Sequence, residues 1–410
     1  MTLDTATVKA DFPLLEREVN GHQIVYLDSA ATSQKPRVVL DAMNEYYETI
    51  NANVHRGAYT IADLATRRME AARQKVATFV GAPSAAEVIF TRNATEAINL
   101  VSQTWGRANL HDGDVVVLTE LEHHANIVPW QILASERDIE LRWIPIDDQG
   151  RLVLDDIDRL FDGASLVAFS AMSNVLGTIT PVRAIADAAH DADAIVLVDA
   201  SQLVPHVPTD VEALGADFVA FTGHKMCGPT GIGVLWGRRE LLEAMPPFMG
   251  GGEMILQVTK EGFTTNELPW KFEAGTPAIA ETIGLGAAAD CLTSLGMDAV
   301  REHEVSLTAY ALRTLAENHG DKLRIFGPSE PASRGGVLSF EFADVHPHDV
   351  SQVLDQHGVC VRAGHHCAKP LMQVLGVNAT SRASLYVYND ESDIDALSTA
   401  LDGAADMFAF

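Results

Sequence analysis

The chain has 410 residues, 47% of them hydrophobic, with 30 Gly and 17 Pro, a globular composition that excludes a disordered or fibrous polymer. Its 56 Asp and Glu against 29 Lys and Arg leave a formal charge of −27, which repels nucleic acid and anionic membrane surfaces alike. There is no run of roughly 18 apolar residues, and the four cysteines contain no CxxC pair, so a membrane span and a disulfide framework are both excluded.

From the N-terminus, Met1 to Asp11 lacks the layout of a signal peptide, and a cytoplasmic protein is expected; the acidic excess suits a salty interior. Two helical patterns follow, one after Pro36 running from Val38 to Ile50 and one from Tyr59 to Val80 that stops at Gly81. Short apolar runs then read as buried strands at Val115 to Leu118, Leu166 to Ser170, Ile195 to Val198 and Phe218 to Phe221, with Val182 to His190 as an intervening helix. Such alternation predicts an α/β fold with a mainly parallel central sheet, in which ligands sit at the carboxyl ends of the strands. The Gly-rich segment Pro246 to Gly252 leads to a loop with few periodic apolar positions before Phe272 to Pro277, and from about Ala278 the texture becomes helix-rich, with strands predicted around Val337 to Phe342 and Val359 to Arg362. A large domain over 31–290 and a smaller α+β domain over 291–410 are expected.

The polar residues after those strands are His123 and His124, Asn174, Asp199 with Gln202, and Thr222-Gly223-His224-Lys225. Lys225 is one of only eight lysines, and it follows a buried strand where an ammonium is costly to desolvate. A desolvated amine is suited to Schiff-base chemistry; the plain alternative is a surface lysine in a loop. Asp199 tips the balance, because a carboxylate one strand away is what holds a pyridoxal phosphate (PLP) ring nitrogen protonated and the ring an electron sink. Asp199 can also be read as a helix cap. Asn93-Ala94-Thr95-Glu96 has the form of a helix start that offers N–H donors to a phosphate, and equally that of an ordinary capping box.

Seven segments in order resemble the group II cysteine desulfurases of the SufS type, class V members of the fold-type I PLP enzymes. They are Asn53-Val54-His55-Arg56-Gly57, Glu122-His123-His124-Ala125-Asn126, Ser173-Asn174-Val175-Leu176-Gly177, Val198-Asp199-Ala200-Ser201-Gln202, Thr222-Gly223-His224-Lys225, Phe272-Glu273-Ala274-Gly275-Thr276-Pro277 and Arg362-Ala363-Gly364-His365-His366-Cys367-Ala368. The resemblance spans nearly the whole chain. It implies that Lys225 forms the Schiff base and shuttles the α-proton, that Asp199 pairs with the ring nitrogen and Gln202 with the ring hydroxyl, and that His123 stacks on the ring. Ala94, Thr95, Thr222 and His224 would hold the phosphate, and Thr276 would reach that of a neighbouring subunit, which implies a homodimer. Asn174, Arg362 and Arg382 would receive the substrate, His55 would join the catalytic group, and residues 1–30 would lie against the smaller domain.

Cys367 is the nucleophile that the resemblance implies, taking sulfur from L-cysteine as a persulfide and releasing alanine, with sulfur passing to an acceptor of the SufE or SufU type for iron–sulfur cluster assembly. A free thiol needs a nearby cation or donor to ionise at neutral pH, and His365, His366 and Arg362 are candidates. No metal is expected, because adjacent residues such as His365-His366-Cys367 rarely point into one tetrahedral shell. Cys227, Cys291 and Cys360 are read as small buried hydrophobes. Selenocysteine lyase, another class V reaction and a silent scaffold are the rival readings; a thiol nucleophile argues against a plain transaminase, and the presence of Lys225, Asp199 and Cys367 against silence. Lys369, two residues after Cys367, adds a charge that the resemblance does not lead one to expect.

Overall fold

The computed structural model describes residues 3–407; Met1 and Thr2 of the expected N-terminal segment and the last three residues of the expected smaller domain lie outside them. At its centre is a seven-stranded sheet built from β1 (Val88–Thr91), β2 (Val115–Thr119), β3 (Glu140–Ile144), β4 (Ala164–Ser170), β5 (Ile195–Asp199), β6 (Phe218–Thr222) and β7 (Gly233–Gly237). Their spatial order is β1-β7-β6-β5-β4-β2-β3, with parallel pairing throughout β3-β2-β4-β5-β6 and β7 antiparallel to both its neighbours.

The strands read as unbroken apolar runs because both faces are covered. Val117, Val167, Val196, Val198, Val219 and Phe221 enter one core, while Val116, Leu118, Leu166, Leu197 and Phe218 enter another on the opposite face. Side chains one residue apart point to opposite sides of a strand, so continuous hydrophobicity is what two buried faces demand. β1, β3 and β7 escaped the sequence reading. β3 (ELRWI) is an edge strand with an exposed start and half-buried centre, and β1 (VIFT) and β7 (GVLWG) are short runs broken by Thr and Gly.

Helices Thr60–Phe79 and Ile279–Leu295 close one flank of the large core, contributing Met69, Val76, Ile283, Leu285 and Leu292. The expected boundary after residue 290 falls inside the second of these helices; the chain turns instead at Gly296, whose φ of 80° ends it before Met297–His319 begins. A second, four-stranded antiparallel sheet follows in the order Leu323–Ile325, Val337–Phe342, Thr380–Ser384, Arg362–Gly364. Helices Met297–His319, Pro347–Gln356 and Glu391–Met407 bury Leu307, Leu315, Val353, Leu354, Leu397 and Leu401 against it.

The single strand expected at Val359 to Arg362 is two. Val359–Cys360 pairs in parallel with Val25–Tyr26, whereas Arg362–Gly364 joins the four-stranded sheet. The N-terminal segment is tied to the C-terminal unit again by the Lys9–Asp393 pair at 2.9 Å and by the Ser384 N–H donating to the Leu27 carbonyl at 2.7 Å. Among the described residues no single helix is long and apolar enough to cross a membrane.

Candidate active site

β2, β4, β5 and β6 end at Thr119, Ser170, Asp199 and Thr222 on one edge of the sheet, and the turns that leave them surround a cavity of about 150 Å³. Asn93, Ala94, Thr95, His123, Asn174, Asp199, Gln202, Thr222, His224, Lys225, Arg362 and Arg382 all line it. Parallel strands deliver their C-terminal loops to this one place, and Arg362 and Arg382, from the four-stranded antiparallel sheet, complete its lining.

One end of the cavity is an anion cradle. The helix Ala94–Val101 begins there, capped by Asn93 Oδ1, which accepts the Glu96 N–H at 2.9 Å, so the remaining first-turn N–H groups stay free for a ligand. Gly233 on β7 lets this turn sit directly on the sheet: a Cβ there would lie 2.4 Å from the Asn93 carbonyl carbon. Thr222 Oγ1 is buried without a hydrogen-bond partner beside this turn, an unsatisfied donor of the kind that a phosphate oxygen satisfies.

Lys225 occupies the middle. Burial lowers its pKa to about 8, against the opposing pull of Asp199, and Arg382 and Arg362 push the same way as burial. The amine is therefore far easier to deprotonate than an exposed lysine. The turn that carries it is clamped by the N-terminal segment. The His224 carbonyl accepts from Ser33 N–H at 2.9 Å, Thr32 Oγ1 at 3.1 Å, Ser33 Oγ at 3.1 Å and Lys35 Nζ at 3.2 Å, and Ser33 Oγ accepts the Cys227 N–H at 2.8 Å.

Asp199 caps its own turn, accepting the Ser201 N–H at 3.0 Å, and is 6% exposed. Gln202 donates from Nε2 to the Ala30 carbonyl at 2.8 Å and leaves its Oε1 buried and unpartnered. His123 Nδ1 accepts the Ala125 N–H at 3.1 Å, which puts the ring proton on Nε2. Burial first, then the Lys225 charge, lowers His123 to about 4, so a neutral ring lines the cavity.

At the other end Arg382 is 1% exposed. It donates to the Asn174 carbonyl at 2.8 Å and to Asp28 Oδ1 at 3.0 Å, and its Nε has no partner. Burial raises the Asp28 carboxyl despite Arg382. Asn174 itself donates to the His366 carbonyl at 2.7 Å, so it also ties the cavity wall to the Cys367 loop.

The residue of that loop that lines the cavity is His366; Cys367 follows it just outside the lining, close enough to act, as a minor influence, on the charges of Lys225 and Arg382. His366 and Cys367 have φ of 50° and 58°, two successive non-glycine residues in the left-handed region, each costing roughly 1–2 kcal/mol unless its surroundings impose it. His366 does not supply the cation that its place beside Cys367 suggested. It is buried, donates to or accepts from Thr380 Oγ1 at 2.9 Å, and is lowered to about 3 by burial and by Arg382 and Arg362, which keeps it neutral. His365 Nδ1 accepts the Cys367 N–H at 3.3 Å.

Two expected residues stand apart from the cavity in their own chain. His55 is held between Glu70 (2.8 Å) and Glu253 (3.2 Å), with its ring edge-on to Trp270 at 5.7 Å. Burial works against the Glu70 carboxylate, but hydrogen bonds from His55 and Arg73 prevail and hold it at about 2. Thr276 lines a separate groove with Arg92, Glu96 and Met249. Of the other thiols only Cys227 is fully buried; Cys291 and Cys360 are partly buried, Cys360 packing against the large core, so the reading as buried hydrophobes holds in full for Cys227 alone. Burial raises all three, Cys227 to about 12. The sequence reading passed over Asp28, Lys35, Ser170 and Met172. Lys35 carried a usable signal, being another of the eight lysines.

This donor set fits PLP: a cradle with an orphaned hydroxyl, an easily deprotonated amine, an orphaned Gln202 oxygen, a buried carboxylate and a neutral imidazole occur in one cavity. Residues 25–397 match the family model described as aminotransferase class-V. A probable cysteine desulfurase of Streptomyces coelicolor is 54% identical over 99% of this chain and 98% of its own length. The apo structure of a cysteine desulfurase from Thermococcus onnurineus superposes with a TM-score of 0.94 at 38% identity, covering 100% of this chain and 99% of that one. The cysteine desulfurase CsdA (S-sulfonic acid) from Escherichia coli gives 0.90 at 39% identity, over 99% and 100% of the two chains. With the family model covering most of the sequence and a cofactor cradle of the matching chemistry, the chain belongs to the aminotransferase class-V family of PLP-dependent enzymes.

Proposed function

We propose that this chain is a cysteine desulfurase that moves the sulfur of L-cysteine onto Cys367 and releases L-alanine. The observation that carries the reading is a thiol loop bordering a cavity that already holds Lys225 and Asp199, since a reaction without sulfur transfer has no use for Cys367. PLP, held by Lys225, Asp199, Gln202, Thr222, His224 and the helix start at Ala94 and Thr95, supplies an electron sink next to the substrate amine.

The protein's own part is orientation and proton handling. Arg382 offers a guanidinium edge to the substrate carboxylate, with Asp28 and the Asn174 carbonyl fixing its plane. Lys225 near pH 8 alternates between amine and ammonium and so carries the α-proton. The neutral His123 keeps Nε2–H available as a donor on the ring side. The Cys367 thiolate attacks the substrate sulfur. The carbon–sulfur bond breaks as the sulfur–sulfur bond forms, and the proton lost by the thiol is recovered on the alanine methyl, so no outside oxidant or reductant enters.

The persulfide is handed to an acceptor of the SufE or SufU type that supplies iron–sulfur cluster assembly in the cytoplasm. The working form is a homodimer; a Thr276 that does not reach its own cavity and a hairpin (Ile255–Val258 with Phe263–Thr265) exposing Leu256, Val258 and Phe263 support it. The test is alanine release from L-cysteine, with a thiol reductant present, by wild type and Cys367→Ala. The variant is expected to lose turnover, and full retention overturns the mechanism; L-selenocysteine in the same assay separates the lyase reading.

A further inference from the structure

The mechanism leaves His124 without a task, although it touches the Cys367 loop twice. Its N–H donates to the Cys367 carbonyl at 2.8 Å, and its Nε2 accepts the Lys369 N–H at 3.0 Å. One bond lies on Cys367 itself and the other two residues beyond, so His124 brackets the nucleophile. From the inner side the same loop is held by Asn174 on the His366 carbonyl and by His366 on Thr380 Oγ1, at 2.7 and 2.9 Å.

The left-handed pair His366 and Cys367 is not a conformation that these residues favour alone, so it persists through those inner and outer contacts. The inner contacts are buried. The outer ones join the half-buried His124 through its backbone N–H to the half-buried Cys367 and through its ring to the exposed Lys369, and the ring contact is the part of the clamp that solvent reaches.

We infer that His124 is a positioning residue that latches the Cys367 loop over the cavity for sulfur capture, and that loss of its bond to the Lys369 N–H frees the loop for hand-over. This rests on the persulfide reading of Cys367. It assigns a task to the backbone of Lys369, the residue whose charge the resemblance left unaccounted for, and to the second histidine of the pair His123-His124.

The chemistry of the latch follows from its donor and acceptor. An Nε2 that accepts a backbone N–H carries no proton, so the latched ring is neutral with its proton on Nδ1. Protonation turns the acceptor into a second donor facing the Lys369 N–H, and the bond is lost. The titratable and charged groups around it are His123, with ring centroids 6.3 Å apart, His365 at 5.7 Å, Lys369 and Cys367; among the described residues no carboxylate is paired with it. Burial, His365 and Lys369 all lower its pKa. The released ring, near the ordinary value of about 6.5, takes up a proton before the latched one, so the latch is full above that pH and weakens as pH falls below it.

The experiment compares PLP-loaded wild type, His124→Ala and His124→Gln, whose side-chain oxygen can still accept the Lys369 N–H. Hydrogen exchange of the peptide spanning residues 365–369 is followed at pH 8, together with single-turnover alanine formation. His124→Ala is expected to exchange about tenfold faster and to form alanine about tenfold more slowly, the scale of one lost hydrogen bond, with both effects restored in His124→Gln. Transfer of sulfur from the preformed persulfide to a small thiol should not slow in either variant. Unchanged exchange in His124→Ala overturns the latch, as does faster exchange with alanine formation at the wild-type rate. If Cys367→Ser still turns over, the persulfide reading fails while the exchange result stands, so the two failures are distinguishable.

Discussion

Lys225 is an amine buried where its charged form is expensive, and that expense is a stability statement. Its pKa in the folded chain is about 8 against an ordinary 10.5, with burial the leading cause, a difference worth roughly 3 kcal/mol. The stabilising contribution of a depressed lysine is complete only above its unfolded value and is lost as pH falls to about 8, so at pH 7 the cofactor-free protein bears the whole penalty. Lys225→Met keeps the length and removes the charge. The cofactor-free variant is therefore expected to be more stable than wild type by up to roughly 3 kcal/mol at pH 7, with the gap closing toward pH 10, as read by urea unfolding at both pH values. A variant that is equally or less stable at pH 7 would show that the ammonium is not desolvated. Scarcity is what made Lys225 legible in the sequence, and the same argument applied evenly finds Lys35, which burial lowers to about 8 and which clamps the His224 carbonyl. What scarcity cannot reveal is a partner fixed by folding. Nothing near Arg382 in sequence announces Asp28, and the neutrality of His366 is set first by burial and then by Arg382, neither of which its place beside Cys367 reveals.

Elements place the site through a few contacts that cross long sequence distances. Arg73, on helix Thr60–Phe79, is 1% exposed and makes a two-pronged pair with Glu273 at 2.6 and 2.8 Å, while also donating to the Val88 carbonyl. Glu273 in turn accepts the Phe90 N–H at 2.7 Å. The helix, β1 and the segment leading to Thr276 are thus locked at one point. Without Glu273 the buried Arg73 keeps only the half-buried Glu70 carboxylate, at 3.0 Å from its Nε, so Glu273→Ala is expected to cost about 3 kcal/mol in denaturant unfolding, the lower end for a broken buried pair, whereas an exposed pair such as Arg67–Asp63 is worth less than about 1 kcal/mol. Gly233→Ala tests a different crossing. Its methyl would press on the Asn93–Ala94 turn, so PLP affinity should fall by about tenfold or more with little change in the Cys367 loop; equilibrium dialysis of PLP measures it, and unchanged affinity would mean that the turn yields freely. The central parallel strands were readable because double burial writes itself as an unbroken apolar run. β3 at the edge and the two interrupted strands β1 and β7 were not, since partial exposure and glycine dilute that signal. The split at Val361 was equally hidden, because which of two sheets a two-residue strand joins is decided by partners over 300 residues away in one case and about 20 in the other.

At the scale of the whole molecule, the charge of −27 and the exposed apolar hairpin act in opposite directions on the pairing of two copies. Each copy repels the other through an acidic field that salt screens, over about 30 Å at 0.01 M and about 3 Å at 1 M ionic strength. Leu256 and Val258, 67% and 65% exposed in the single chain, and Phe263 at 56% offer apolar area whose burial is insensitive to that screening and is strengthened by salting-out ions. A homodimer held in this way should tighten as salt is added. Sedimentation velocity is expected to show wild type shifting toward dimer between about 0.01 and 1 M KCl, and a Leu256→Asp, Val258→Asp variant remaining monomeric across that range. The variant should lose alanine formation in step with its loss of dimer if Thr276 serves the neighbouring cavity, because Thr276 lies on neither hairpin strand and is itself unaltered. A wild type that stays monomeric at both salts removes the dimer from the proposed mechanism. A dimer indifferent to salt would instead mean that the acidic residues face away from the contact, leaving the apolar hairpin to act without opposition.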